Sequence, residues 1–271
     1  MGPRIVTVGY RVPAAWKVAW ITGASSGIGR EVALRLAASG VKVAVSARSA
    51  DKLAGLAAAS PNIKSYPLDV VDLAATKAVA AAIARDLGPI DLAILNAGVW
   101  HPMNAATYDP EAVTKAMAIN FTGVTNALAP LLPAMIARKS GHIAIVSSVA
   151  GYRGLPVAIA YAPTKAALIS LAESLHPDLM DDNVKMTIIN PGFVETDMTS
   201  VNTFPMPFIV KCEDAADRIV KGLIKGQFEI VFPLRMKLLA KFTRLLPYWA
   251  YFGIVNSLPS GEPPAPPGPK V

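Results

Sequence analysis

The sequence predicts an α/β fold, a doubly wound parallel sheet of about seven strands in a single domain with a C-terminal amphipathic extension. Three observations carry this. Short apolar runs alternate with alanine-rich stretches of helical periodicity, the pattern of repeated βαβ units. The first run is followed at once by Thr22-Gly23-Ala24-Ser25-Ser26-Gly27-Ile28-Gly29, a glycine-rich turn that opens a helix. At 271 residues and 53% hydrophobic content the chain can bury one sizeable core.

The elements follow in order. Val18–Ile21 is a short, wholly apolar run of the kind a strand covered on both faces makes. The same reading gives strands at Lys42–Ser46, Ile63–Leu68, Leu92–Leu95, His142–Val146, Lys185–Asn190 and Glu229–Phe232. Helices are predicted between them at Gly27–Ser39, Leu73–Leu87, Pro110–Lys139, Ala158–Leu179 and Glu213–Lys225, where many alanines favour helix and permit close approach to the sheet. Residues 16–232 form the domain, preceded by a segment 1–15. Asn202–Lys211, with Phe204, Pro205, Pro207 and Phe208, reads as a mobile apolar loop. Residues 233–258 form a basic, aromatic extension, and 259–271 a proline-rich tail expected to be disordered.

Gly23, Gly27 and Gly29 stand in G-x-x-x-G-x-G spacing between a strand and a helix. Such glycines allow a tight turn and bring the backbone close to a pyrophosphate, while the helix start offers free N–H groups and a positive dipole. A second constellation lies downstream. Tyr161 and Lys165 are one helical turn apart, so an ammonium on the same face favours the phenolate of a tyrosine whose ordinary pKa is about 10. Ser148, thirteen positions before Tyr161, offers a hydroxyl to the oxygen of a carbonyl or alcohol.

These motifs, with Asp69-Val70, Asn96-Ala97-Gly98, Asn120 with Gly123, Ser147-Ser148 and Asn190-Pro191-Gly192 leading to Thr196, occur in an order that resembles the short-chain dehydrogenase/reductases over about Trp16–Phe232. The resemblance implies a Rossmann-type sheet and an oxidoreductase. It implies that Ser148 polarises the carbonyl and Tyr161 transfers the proton. Lys165 then lowers the tyrosine pKa and holds the nicotinamide ribose, and Asn120 anchors a proton-relay water through its backbone. The thirteen-residue spacing favours Ser148 over Ser147. Pro163 departs from the small residue usual there, which a helix start tolerates. Cofactor contacts are implied at Gly23, Ser25, Ser26, Gly27, Ile28, Gly29, Arg48, Asp69, Val70, Asn96, Ala97, Gly98, Tyr161, Lys165, Pro191, Gly192, Val194 and Thr196.

The second strand ends Val45-Ser46-Ala47-Arg48. Ala47 stands where relatives specific for NAD(H) carry an acid, and Arg48 offers a planar cationic fork suited to a 2′-phosphate, so NADP(H) is favoured over NAD(H). The resemblance also implies a homodimer or homotetramer paired through Asn120–Lys139 and Ala158–Leu179. The three histidines have no metal-ligand spacing, and no metal is expected.

A net charge of +7 comes without an aromatic-interleaved basic patch, which argues against nucleic acid and for an anionic cofactor or anionic lipid. Cys212 is the sole cysteine, pointing to a reducing, cytoplasmic setting, with a peripheral position on the inner face of a membrane if the extension binds lipid. On a helical wheel Lys237, Lys241 and Arg244 share one face of the extension, opposite Leu238, Phe242, Leu245, Leu246 and Trp249, and Pro247 should break the helix. Two readings stay open for residues 234–252: packing on the domain, the active site or another subunit, or contact with a membrane interface. The loops around the site lean towards an apolar, lipid-like, steroid-like or long-chain carbonyl or alcohol. The rival functions are a catalytically silent NADP(H)-binding scaffold and a peripheral membrane binding protein.

Overall fold

The computed structural model describes residues 9–257, so most of segment 1–15 and the proline-rich tail lie outside the described residues. Seven strands form one parallel sheet: β1 (Val18–Thr22), β2 (Lys42–Ser46), β3 (Ile63–Ser65), β4 (Leu92–Leu95), β5 (Gly141–Val146), β6 (Val184–Pro191) and β7 (Glu229–Phe232). Their order is β3-β2-β1-β4-β5-β6-β7. The chain direction across the sheet therefore reverses between β1 and β4, which opens a crevice at the carboxyl ends of these strands. Strands β1, β4 and β5 are mostly apolar because helices cover both faces; all five residues of β1 are buried.

One layer contains α1 (Gly27–Ala38), α2 (Ala50–Ala58) and α7 (Cys212–Ile224). Its core joins Leu36, Leu53 and Ile219 to Ile21, Val45 and Ile94. The opposite layer contains α3 (Leu73–Asp86), α5 (Gly123–Ala137) and α6 (Ala162–Met180). There Ile83, Leu128, Met135 and Leu168 cover Trp20, Leu95 and Ile145. Asp72 caps α3 by accepting from the Ala75 N–H at 2.8 Å. Arg35, buried in α1, is held by Glu31 and Asp217 and fastens α1 to α7.

Several boundaries differ from the sequence expectation, each for a local reason. The third strand stops at Ser65 rather than Leu68, because Pro67 cannot donate to a ladder. The helix expected from Ala158 begins at Ala162, with Pro163 in its first turn, where the missing N–H costs nothing. The single helix expected over 110–139 is α4 (Pro110–Met117) and α5 joined by a π-turn over Ala118–Thr122. Helix α2 was not anticipated, since its nine residues with Gly55 inside carry little periodic signal. The helical run 110–137 is long and apolar enough to cross a membrane by length and composition, but it packs as a core element over β5 and α3. Beyond β7 come α8 (Leu234–Leu245) and α9 (Tyr248–Val255), broken at Pro247.

Candidate active site

The glycine turn between β1 and α1 is shaped by contacts that leave no room for side chains. Gly23 has φ +66° and a Cβ there would lie 2.7 Å from the Ala97 Cα, while one at Gly29 would lie 2.6 Å from Asn96 Nδ2. Asn96 ties the two turns together: its N–H donates to Thr22 Oγ1 at 3.0 Å and its Nδ2 to the Thr22 and Gly23 carbonyls, both at 3.1 Å. The result is one cleft at the crevice between β1 and β4. It is lined by Gly23, Ser25, Ser26, Gly27, Ile28, Arg48, Asp69, Val70, Asn96, Ala97, Gly98 and Thr196. Thus twelve of the sequence-predicted cofactor contacts line one surface, and its glycine cradle fits a dinucleotide pyrophosphate. Gly29 supports the turn from behind.

Sequence reasoning missed Ser49, Val99, Ile119 and Met198, which line the same cleft. Ser49 was the findable one. It follows Arg48, stands at the N-cap of α2 without a side-chain capping bond, and lines the cleft together with Arg48.

The second constellation gathers at the ends of β5 and α6. Ser148 lies just past β5 in extended backbone, its Oγ 3.4 Å from the Pro191 carbonyl and accepting from the Ala150 N–H at 3.2 Å. Tyr161 sits at the start of α6, and the Ser148 hydroxyl acts to lower the pKa of its phenol. Lys165 is buried, its Nζ 5.4 Å from the centre of the Tyr161 ring and donating to the Val146 carbonyl at 2.9 Å. Ser147, the neighbour of Ser148, is turned away: it is buried and donates to the Lys165 carbonyl at 2.7 Å. The two serines therefore divide, one clamping α6 to β5 and the other facing Tyr161. Gly151 lets the two backbones meet, since a Cβ there would stand 2.7 Å from the Lys165 carbonyl carbon.

Asn120 lies buried in the π-turn, where the regular helical ladder is interrupted. Its side chain is fully engaged. The Oδ1 accepts from the Val99 N–H at 2.7 Å, and Nδ2 donates to the Val99 carbonyl at 3.1 Å and to Thr164 Oγ1 at 3.0 Å. Thr164, missed from sequence, passes this on by donating to the Tyr161 carbonyl at 2.7 Å. Pro191 and Gly192 end β6 beside Ser148, and Val194 is buried in a bridge with Val210.

Burial sets the electrostatics of this pair. Burial pushes the Tyr161 phenol up to about 12, and the Ser148 hydrogen bond offsets only part of this. Burial also pulls the Lys165 ammonium down to about 8. Desolvation therefore dominates both groups and favours the neutral form of each.

Trp100 closes the far side, edge-on to the Tyr161 ring at 5.0 Å and 83°, with its Nε1 donating to Asn202 Oδ1 at 2.8 Å. That bond joins the loop after β4 to the loop after β6. The second loop carries Phe193 and Phe204, whose rings are 6.1 Å apart, and Met206. Among the described residues no cluster of three or more His, Cys, Asp or Glu side chains could hold a metal.

Comparison with known proteins agrees with this geometry. Residues 17–204 match the family model described as short chain dehydrogenase. The chain belongs to the short-chain dehydrogenase family. It is 38% identical over 237 residues to an uncharacterized oxidoreductase of Myxococcus xanthus, covering 86% of this chain and 94% of the relative. It is 34% identical to the 2,3-dihydro-2,3-dihydroxybenzoate dehydrogenase of Bacillus subtilis over 81% of this chain and 82% of that one. The crystal structure of a short-chain dehydrogenase from Streptomyces avermitilis superimposes with a TM-score of 0.74 at 26% identity, covering 83% of this chain and 92% of that one. This short-chain dehydrogenase is thus an oxidoreductase dependent on NAD(P).

Proposed function

We propose that the chain uses NADP(H) to interconvert a ketone or aldehyde and an alcohol on an apolar substrate, with Ser148, Tyr161, Lys165 and Asn120 as its working residues. The observation that carries this reading is Tyr161 at the start of α6, its ring 5.4 Å from the Nζ of a buried Lys165 that stands beside Gly98 of the glycine-lined cleft. When bound, the cofactor supplies the hydride. The residues supply the rest. Ser148 Oγ holds the carbonyl oxygen, and Tyr161, protonated at neutral pH, gives that oxygen its proton. Lys165, half-way to neutrality near pH 8, replaces the proton, and the π-turn at Asn120 frees backbone to hold a relay water.

Ala47 without a carboxylate, and Arg48 and Ser49 lining the cleft beside it, support NADP(H) over NAD(H). Trp100, Phe204 and Met206 support an apolar substrate. The same reading places the enzyme in the cytoplasm as a homodimer or homotetramer. The test is a screen of apolar ketones and aldehydes followed by NADPH absorbance. Tyr161→Phe should lower turnover by about 10²–10⁴-fold while NADPH binding persists. Tight NADPH binding with no turnover of any carbonyl would favour a silent binding protein.

A further inference from the structure

Helices α8 and α9 pack on the domain by a narrow seam only. Met236 and Ala240 on α8, and Tyr251 and Val255 on α9, are buried, each pair four residues apart. The attachment is firm. Arg153 Nη1 donates to the Thr243 carbonyl at 2.7 Å and the Leu246 carbonyl at 2.6 Å, both at the end of α8. Its guanidinium lies over the Tyr248 and Tyr251 rings, and the Tyr251 hydroxyl donates to the Gly154 carbonyl. Lys241 pairs with Glu229 at 2.5 Å.

This seam fixes which face points outward, and that face is apolar. Leu238, Phe242, Leu245, Tyr248, Trp249 and Phe252 are all exposed, Leu245 by 84% and Trp249 by 80%. The domain uses none of them as core. A contiguous apolar face of this kind marks an interaction surface.

The charges around it select the occupant. Arg235, Lys237, Lys241 and Arg244 border the face, and no acidic residue occurs between Glu229 and Glu262. Lys241 and Arg244 keep about half of their side-chain surface exposed despite facing Glu229 and Glu173. A second copy meeting this surface about a two-fold axis would bring the same cations against themselves. An anionic lipid surface instead matches both features, apolar side chains entering the acyl boundary and cations meeting headgroups, with tyrosine and tryptophan at the interface. We propose that α8 and α9 dock the enzyme on anionic lipid membranes through the face bearing Phe242, Leu245 and Trp249.

The full-length chain, mixed with vesicles of phosphatidylcholine with about one-third phosphatidylserine, should float with them, and its tryptophan emission should shift to the blue. Trp249→Phe should remove that shift, because Trp16 and Trp20 are buried in the core and Trp100 is held at the active site. Binding should fall roughly tenfold or more as salt rises from low to several hundred millimolar. Leu245→Asp combined with Trp249→Asp should reduce binding roughly tenfold or more, with the thermal midpoint and turnover unchanged. Should that double variant fail to fold, the emission shift and salt dependence of the unaltered chain decide the matter. The proposal is overturned if the full chain stays unbound, if it binds phosphatidylcholine alone as well at every salt concentration, or if the folded double variant binds like the parent. It is also overturned if the parent ignores vesicles and the double variant has a lower native mass, since the face then belongs to a second copy.

Discussion

Burial moves the pKa of two side chains in the site, Tyr161 upward and Lys165 downward, and the consequence can be measured. Lys165 is brought down to about 8 by burial, so its proton is present below that pH and lost above it. If Lys165 resupplies Tyr161, carbonyl reduction should hold steady at neutral pH and fall as pH rises through about 8, whereas alcohol oxidation should rise over the same range. A pH profile of kcat in both directions checks this; a flat profile from 7 to 9 in both would remove Lys165 from the relay. Arg48 carries a separate expectation. Arg48→Ala should weaken NADPH at least tenfold and leave NADH nearly unchanged, because a charge-assisted contact to phosphate contributes about 1.5–3 kcal/mol. Titration calorimetry with both nucleotides decides it, and equal weakening of the two would refute the assignment. A third residue acts on the fold. His142 is buried neutral on Thr187 and pushed down to about 4, chiefly by desolvation. Below pH 6.5 the unfolded chain binds a proton that the native chain refuses, so stability is full above 6.5 and is lost as pH falls towards 4. The loss approaches about 3 kcal/mol at the acid end. His142→Gln should flatten the decline in urea midpoints between pH 6.5 and 4.

At the level of elements, what the sequence made legible was whatever has a strong local signal. The fully apolar strand Leu92–Leu95 and the largely apolar Glu229–Phe232 stand where their composition puts them, and the glycine turn is where its spacing requires. The start of α6 was misplaced by four residues because Ala158 and Ala160 read as helix, although Pro163 already marked the first turn. The π-turn had no sequence signal, since it arises from packing of Asn120 against Val99 and Thr164, residues distant along the chain. Thr164 escaped notice for the same reason, and Trp100 was legible only as part of a pocket-lining loop: their roles come from contacts with Asn120 and Tyr161 that no motif spacing encodes. One element contact gives a further expectation. At Gly151 the turn after β5 touches the backbone of α6, so Gly151→Ala must push the helix away. It should cost about 1–3 kcal/mol and lower kcat through the displaced Lys165, measured by chemical denaturation and turnover. A variant with parental stability and activity would show that α6 can shift freely.

Across the whole molecule, the outward faces of α5 and α6 carry Ala129, Pro133, Ala134 and Ala166, small side chains that let another subunit approach closely. The native mass should therefore be at least twice 28.5 kDa, and Ala166→Arg should lower it without unfolding the chain. Light scattering showing only monomer at micromolar concentration would contradict this. The lipid-facing helices have a different relation to the site. Helix α8 begins directly after β7, and Met236 is packed so closely on the turn ending β6 that a Cβ on Gly192 would lie 3.1 Å from its Cγ. Arg235 lies over the Phe208 ring, in the loop that also holds Asn202 against Trp100. The anchor and the catalytic mouth are thus joined by direct contacts at Gly192 and Phe208. Docking at a surface would steady the loop that roofs the substrate, and a chain cut at Phe232 would lose the brace behind Gly192 along with the anchor, so poor turnover in such a truncation would say nothing about lipid.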